Sequence, residues 1–172
     1  MTMPALTYQE LNNQNPEKIF NIKTFVLNSQ NWQSVRPDLN ILFKNWKKYK
    51  FDEHIQDYLP NTKGIYIFFV EPNFPFLPET RYLMYVGEVS GTNTFHNRFY
   101  DYVSGIGSKK HRRNIQLLTN LWPDHTWVYV YELNLPDKDI TDIEDNLIDN
   151  INPPMNNKFK AKAAKNSRSI YN

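Results

Sequence analysis

From residue 61 onward the chain switches between two hydrophobic rhythms. Residues 64–70 run Ile65-Tyr66-Ile67-Phe68-Phe69-Val70 after Gly64, and all six favour extended chain. Residues 81–89 and 127–133 repeat the signal, so three strands are expected. Residues 71–80 hold three prolines and two phenylalanines. That is too long for a tight hairpin turn and predicts an ordered loop with exposed aromatic rings. Helical spacing marks residues 93–104, where Phe95, Phe99, Tyr102 and Val103 share a face and Gly105 and Gly107 end the run. It also marks residues 109–121 and 137–151, the last stopped by Pro153-Pro154. Before Pro60-Asn61 the pattern is mostly helical. Ile19, Ile22, Phe25 and Val26 suit one helix, and Leu39, Leu42, Phe43 and Trp46 another that starts at Pro37-Asp38. The expected order is strand, strand, helix, helix, strand, helix. This is an α+β class protein with a small, mainly antiparallel three-stranded sheet flanked by helices and a mostly helical N-terminal extension. The expected division is residues 1–60 as extension, 61–157 as the main domain and 158–172 as a basic tail.

Two positions break the amphipathic pattern. On the last helix Ile140, Ile143, Leu147, Ile148 and Ile151 form one stripe, and Glu144 falls inside it, about 40° from Ile140 at about 100° per residue. A carboxylate in a face meant for burial needs a cation or donors; an ion pair with an arginine at the core edge would serve equally. On the helix over residues 93–104, Arg98 borders the apolar face. It suits either a snorkelling side chain or a planar, permanently charged phosphate clamp. Two glycines also sit beside tyrosines in mirrored tripeptides, Gly64-Ile65-Tyr66 and Tyr85-Val86-Gly87. Glycine in paired strands marks close approach of other groups, and the tyrosines beside them can aim hydroxyls at one point. Packing alone is the plainer reading of either tyrosine.

Composition narrows the chemistry. The chain of 172 residues has no cysteine, which removes disulfides, zinc–thiolate centres and thiol catalysis. The N-terminus shows no signal-peptide pattern and no apolar run is long enough to cross a membrane, so a cytoplasmic protein is expected. Net charge is only +2, yet it is unevenly placed. Lys44, Lys47, Lys48 and Lys50 cluster around Trp46 and Tyr49; Lys109, Lys110, His111, Arg112 and Arg113 form a second cluster. The tail from Lys158 carries Lys160, Lys162, Lys165 and Arg168 and no acid, while residues 137–149 are acidic. Each cluster alone reads as solvated surface. Together they suit a protein that meets phosphates with cations and a metal with an acid. His111 and His125 have no partner at metal-ligand spacing.

Gly-Ile-Tyr at residues 64–66, Tyr-Val-Gly at 85–87, an arginine on the next helix and "EDNLIDNINPPMN" in order resemble the GIY-YIG endonuclease family. The C-terminal element carries the most detail, with Glu144, Leu147-Ile148, Pro153 and Asn156 in the family's order. The resemblance spans residues 63–157. It implies a sheet with flanking helices and a phosphodiesterase that uses a single Mg²⁺ or Mn²⁺. By position Tyr66 and Tyr85 match the motif tyrosines, Arg98 the arginine, Glu144 the metal ligand and Asn156 the terminal asparagine. Tyr102 stands one turn after Arg98, where members carry histidine or tyrosine. The chain departs from the pattern in the lengthened 71–80 loop, the later placement of Arg98, and Glu88 where lysine or serine is common.

What the resemblance implies for chemistry is one in-line hydrolysis of a phosphodiester. Glu144 holds the cation, Arg98 balances charge on the phosphate, and Tyr66 orients the attacking water and takes its proton. Tyr85 and Tyr102 support, and Asn156 acts through backbone contact. Expected DNA contacts are Lys47, Lys48, Lys109, Lys110, Arg112, Arg113, Lys158 and Lys160, with the Phe74–Phe76 loop. A compact chain with lengthened loops is most similar to a restriction enzyme acting on double-stranded DNA, and cutting a palindrome calls for a symmetric homodimer. The alternatives are a structure-specific or defence nuclease, and a nucleic-acid-binding module whose Arg98 and Glu144 simply pair.

Overall fold

The computed structural model of the protein describes residues 25, 29–33, 35, 45–104, 113–161 and 165–166. In chain order its elements are α1 (Ser29–Gln33), β1 (Lys47–Lys50), α2 (Ile55–Tyr58), β2 (Gly64–Val70), β3 (Tyr82–Val89), α3 (Phe95–Ser104), α4 (Arg113–Leu121), β4 (Thr126–Glu132) and α5 (Asp137–Ile151). The class is α+β, as the hydrophobic rhythm indicates. The sheet, however, has four strands rather than three. They are antiparallel throughout, in the order β1-β4-β2-β3.

The additional strand comes from residues assigned by pattern to the helical extension. Residues 37–44 lie outside the described set, but Asn45 and Trp46 are irregular and the chain then enters β1. Lys47 pairs with Val130 and Lys50 with Trp127. Nothing in "KKYK" announces a strand. It is an edge strand with exposed lysines, and its hydrogen bonds come from β4, far along the chain. Its partners in charge are also distant: Lys47 meets Glu132 at 2.5 Å, and Lys48 meets Glu71 at 2.5 Å while lying 4.1 Å from the Trp127 ring centroid.

Each sheet face has its own core. On one, Tyr66, Phe68, Val70, Val89, Val128 and Val130 pack against Ile55 of α2, Phe95, Phe99 and Tyr102 of α3, and Ile115 and Leu118 of α4. On the other, Ile65, Ile67 and Val86 meet Ile140, Ile143, Leu147 and Ile148 of α5. The period-two alternation of β2 thus feeds two helical layers, which is why its residues are apolar on both faces.

Local signals set the helix ends. The Thr94 hydroxyl accepts the Asn97 N–H at 3.2 Å and caps α3. Asp137 and Asp139 stand in the first turn of α5, whose C-cap Asn152 adopts the left-handed conformation, φ 57°, before the two prolines. The 71–80 loop has the expected exposed rings, Phe74 and Phe76 among them. Its root is fixed: Glu71 donates its N–H to the His125 carbonyl and accepts the Tyr129 hydroxyl at 2.8 Å. Among the described residues no helix is long and apolar enough to cross a membrane.

Gly64 owes its place to backbone approach. Its φ is +148°, and a Cβ there would stand 2.0 Å from the Tyr131 carbonyl oxygen. Gly91, φ +68°, would present a Cβ to open space. Gly64→Ala is therefore expected to lower stability by about 3 kcal/mol and Gly91→Ala by about 1 kcal/mol, read from urea denaturation. Equal losses at the two positions would contradict the close approach of β4 to Gly64.

Candidate functional site

The mirrored tripeptides meet because of the β2–β3 register. Tyr66 is directly opposite Gly87 and Phe68 opposite Tyr85, with an irregularity between Phe68 and Phe69. Opposed residues leave an antiparallel pair on the same side, so the tyrosines share a face. A Cβ on Gly87 would stand 2.3 Å from Tyr66 Cζ. The absent side chain is the space into which the Tyr66 ring lies. That ring stacks on Tyr85 at 6.2 Å between centroids and meets Phe99 edge-on at 5.3 Å. Its hydroxyl is 2.5 Å from that of Tyr102 on α3.

Around this ring lies a cavity of about 470 Å³, lined by Tyr66, Tyr85, Glu88, Arg98, Glu144 and Asn156, among others. Tyr102 reaches it through Tyr66. Five of the six residues singled out by sequence therefore line one space, and the sixth touches one of them. Arg98 arrives from α3 and its Nε is enclosed without a hydrogen-bond partner in the protein. Glu144 arrives from α5, inside the apolar stripe as its spacing requires. Glu144 and Arg98 form no ion pair with each other, nor does either have another among the described residues.

Burial, with Glu88 and Asp145 nearby, raises the Glu144 pKa from 4.5 to about 7, against the opposing pull of the Glu88 backbone amide and Arg98. Burial likewise pushes Tyr66 up to about 12, while Arg98 and the hydrogen bond from Tyr102 pull it down. The same hydroxyl contacts push Tyr85 and Tyr102 upward, beneath the larger effect of burial. Of the three phenols, Tyr66 is the one whose neighbours favour its ionised form. As the structure stands it is a neutral donor and acceptor near pH 7.

Asn156 has a different task from its neighbours. Its Oδ1 accepts the Val86 N–H at 2.9 Å and its Nδ2 donates to the Val86 carbonyl at 2.8 Å. Met155 N–H donates to the Met84 carbonyl at 2.9 Å. The segment after α5 thus closes the outer edge of β3 as a short strand would. Asn156 clamps the Val86 backbone from the outer edge of β3 through both ends of its amide.

Several residues join the site unannounced. Asn114 on α4 donates to the Met155 carbonyl at 2.6 Å. From the acidic 137–149 segment, Asp145 pairs with Lys160, and Asp149 accepts the N–H groups of Lys160 and Ala161 at 3.0 and 2.8 Å. They lay the start of the basic tail along α5. Lys158 lines the cavity as a result, whereas the Lys160 charge is met by Asp145. Lys47 and Lys48 stand on β1, with two strands between them and β3, and their charges are met by Glu132 and Glu71. Lys109, Lys110 and Arg112, like the side chain of Arg113, lie outside the described residues.

Among the described residues no three histidines, cysteines or carboxylates gather into a metal cluster. The cavity still fits a hard cation. Its donors are oxygens, its acids outnumber the charges that meet them, and Glu88 Oε2 is enclosed without a partner.

The raised Glu144 pKa sets a pH dependence. Glu144 favours the folded state below its ordinary 4.5, and that contribution is lost as pH rises through about 7. In chelator, Glu144→Gln is expected to be the more stable protein at pH 8.5, by about 2 kcal/mol, and to converge with the wild type near pH 4.5, followed by thermal melts. Asn156→Ala is expected to cost about 2 kcal/mol by leaving both Val86 groups unpaired. The exposed Asn157→Ala should stay within about 0.5 kcal/mol, both measured by chemical denaturation.

Compared with models of protein families, with curated proteins and with solved structures, the chain matches none, and the reading of this site rests on its own residues.

Proposed function

We propose that the protein is a metal-dependent endonuclease that hydrolyses DNA phosphodiester bonds, with the arrangement and chemistry of the GIY-YIG enzymes. One observation carries this reading. Two strand tyrosines, an arginine from α3 and a buried acid from α5 line a single cavity, and the arginine and acid are not paired with each other. An idle binding module would be expected to neutralise its buried acid with that arginine.

In the proposed reaction a scissile phosphate enters between Arg98 and Glu144. Arg98, with an Nε that lacks a protein partner, meets the charge that grows on the phosphoryl oxygens. Tyr66 would act as its phenolate, its own proton having passed to solvent. It holds the attacking water and takes that water's proton as the new P–O bond forms. The bond to the opposite oxygen breaks, and that oxygen leaves to be protonated by solvent. The Tyr102 and Tyr85 hydroxyls, which favour charge on Tyr66, steady it in that role. Glu144 would hold a divalent cation, which when bound supplies positive charge at the leaving oxygen and favours ionisation of the phenol. Lys158 on the cavity wall contacts a flanking phosphate. Restriction-type cleavage of both strands would use two copies of the chain related by a twofold axis.

A supercoiled plasmid digest with Mg²⁺ or Mn²⁺ tests the reading. Discrete fragments are expected, lost in Glu144→Ala and retained in Asp142→Ala, an exposed acid of the same helix. Tyr66→Phe and Arg98→Ala should each lower the rate about 10²-fold or more. A smear would favour a nuclease without a fixed site. DNA binding without cleavage in either metal would overturn the enzymatic reading.

A further inference from the structure

One carboxylate at the cavity has no part in the reaction outlined above. Glu88 follows Gly87 on β3 and is opposite Ile65, so its side chain leaves the sheet on the face that α5 covers. It is half-buried and lines the same cavity as Glu144. Its Oε2 is enclosed and has no hydrogen-bond partner. Among the described residues no lysine or arginine lies within ion-pair distance of Glu88 or of Glu144. The third acid on the wall, Asp145, is engaged by Lys160.

An enclosed carboxylate oxygen with neither donor nor counter-charge is costly, and two facing acids add mutual repulsion. A divalent cation between them removes both costs. Magnesium-type ions are commonly held by one or two carboxylates, with waters and phosphate oxygens completing the shell. An all-oxygen donor set without sulfur or imidazole suits hard cations such as Mg²⁺ and Mn²⁺.

We propose, building on the phosphodiesterase reading, that Glu88 and Glu144 hold the divalent cation jointly, one ligand from the sheet and one from α5. Glu88 is then a metal ligand of this chain in its own right. The cation ties the edge of β3 to the helix opposite, so its binding also stabilises the fold.

The test is Mn²⁺ titration by calorimetry on the full chain, without nucleic acid, alongside thermal melts in chelator. The wild type should bind Mn²⁺. Glu88→Gln and Glu144→Gln should each weaken binding roughly ten- to a hundredfold, and Asp142→Asn should leave it unchanged. Wild-type affinity in Glu88→Gln, or no binding by the wild type, overturns the shared site. If Glu88→Gln melts below the wild type in chelator, Glu88→Asp serves instead; it keeps the charge but withdraws the oxygens, and undiminished affinity would again overturn the proposal. Plasmid cleavage run on the same samples separates the two readings. Cleavage with undiminished affinity in Glu88→Gln removes the shared ligand and leaves the nuclease. Weakened affinity in both glutamine variants, with no cleavage by the wild type, upholds the shared cation site and removes the nuclease.

Discussion

The site depends on one contact, the Tyr66 ring lying across Gly87 between two paired strands. Because position 87 has no side chain, the ring sits flat enough to stack on Tyr85 and pass its hydroxyl to Tyr102. That contact joins β2, β3 and α3. It also makes the first wall of the cavity, so the same geometry that fills the core sets the direction of the phenols. The aromatic cluster of Tyr66, Phe68, Phe95, Phe99 and Tyr102 holds it, through edge-on and offset contacts worth about 0.5–1.5 kcal/mol each beyond their burial.

Polar groups that are not at rest share the cavity with that aromatic wall. Glu144 occupies an apolar stripe, Glu88 has an enclosed oxygen without a partner, and Arg98 has an enclosed nitrogen without one. Cores usually satisfy such groups internally. Leaving cation and anions apart within a cavity of about 470 Å³ stores unmet interactions for something that brings both positive and negative charge. A phosphate accompanied by a divalent cation has that composition, which is the physical basis of the proposed function.

The C-terminal segment gathers these groups into one site. Asn152 ends α5 in a left-handed turn, the chain doubles back, and Asn156 and Met155 bond to the outer edge of β3. Asp145 and Asp149 then draw the tail along α5, leaving Lys158 at the cavity. An edge strand that would otherwise offer free backbone groups is covered by the segment that completes the site.

Sequence alone determined what depends on near neighbours along the chain. The strands over Tyr66 and Tyr85, the α3 and α5 stripes, and the intrusion of Glu144 and Arg98 into apolar faces all follow from spacing, because a helix or strand fixes direction within a few residues. Tertiary structure decided what depends on residues far apart. β1 is a strand only because β4 offers it hydrogen bonds, against the helical reading of the residues before it. Glu88 becomes an unpartnered acid only because α5 covers its face. Asp145 and Asp149 become anchors because the tail returns to them, and Asn156 becomes a clamp because Val86 lies opposite. No local pattern encodes these roles, since each is set by a partner beyond the reach of helix or strand spacing, 11 residues away for Asp149 and 70 for Asn156.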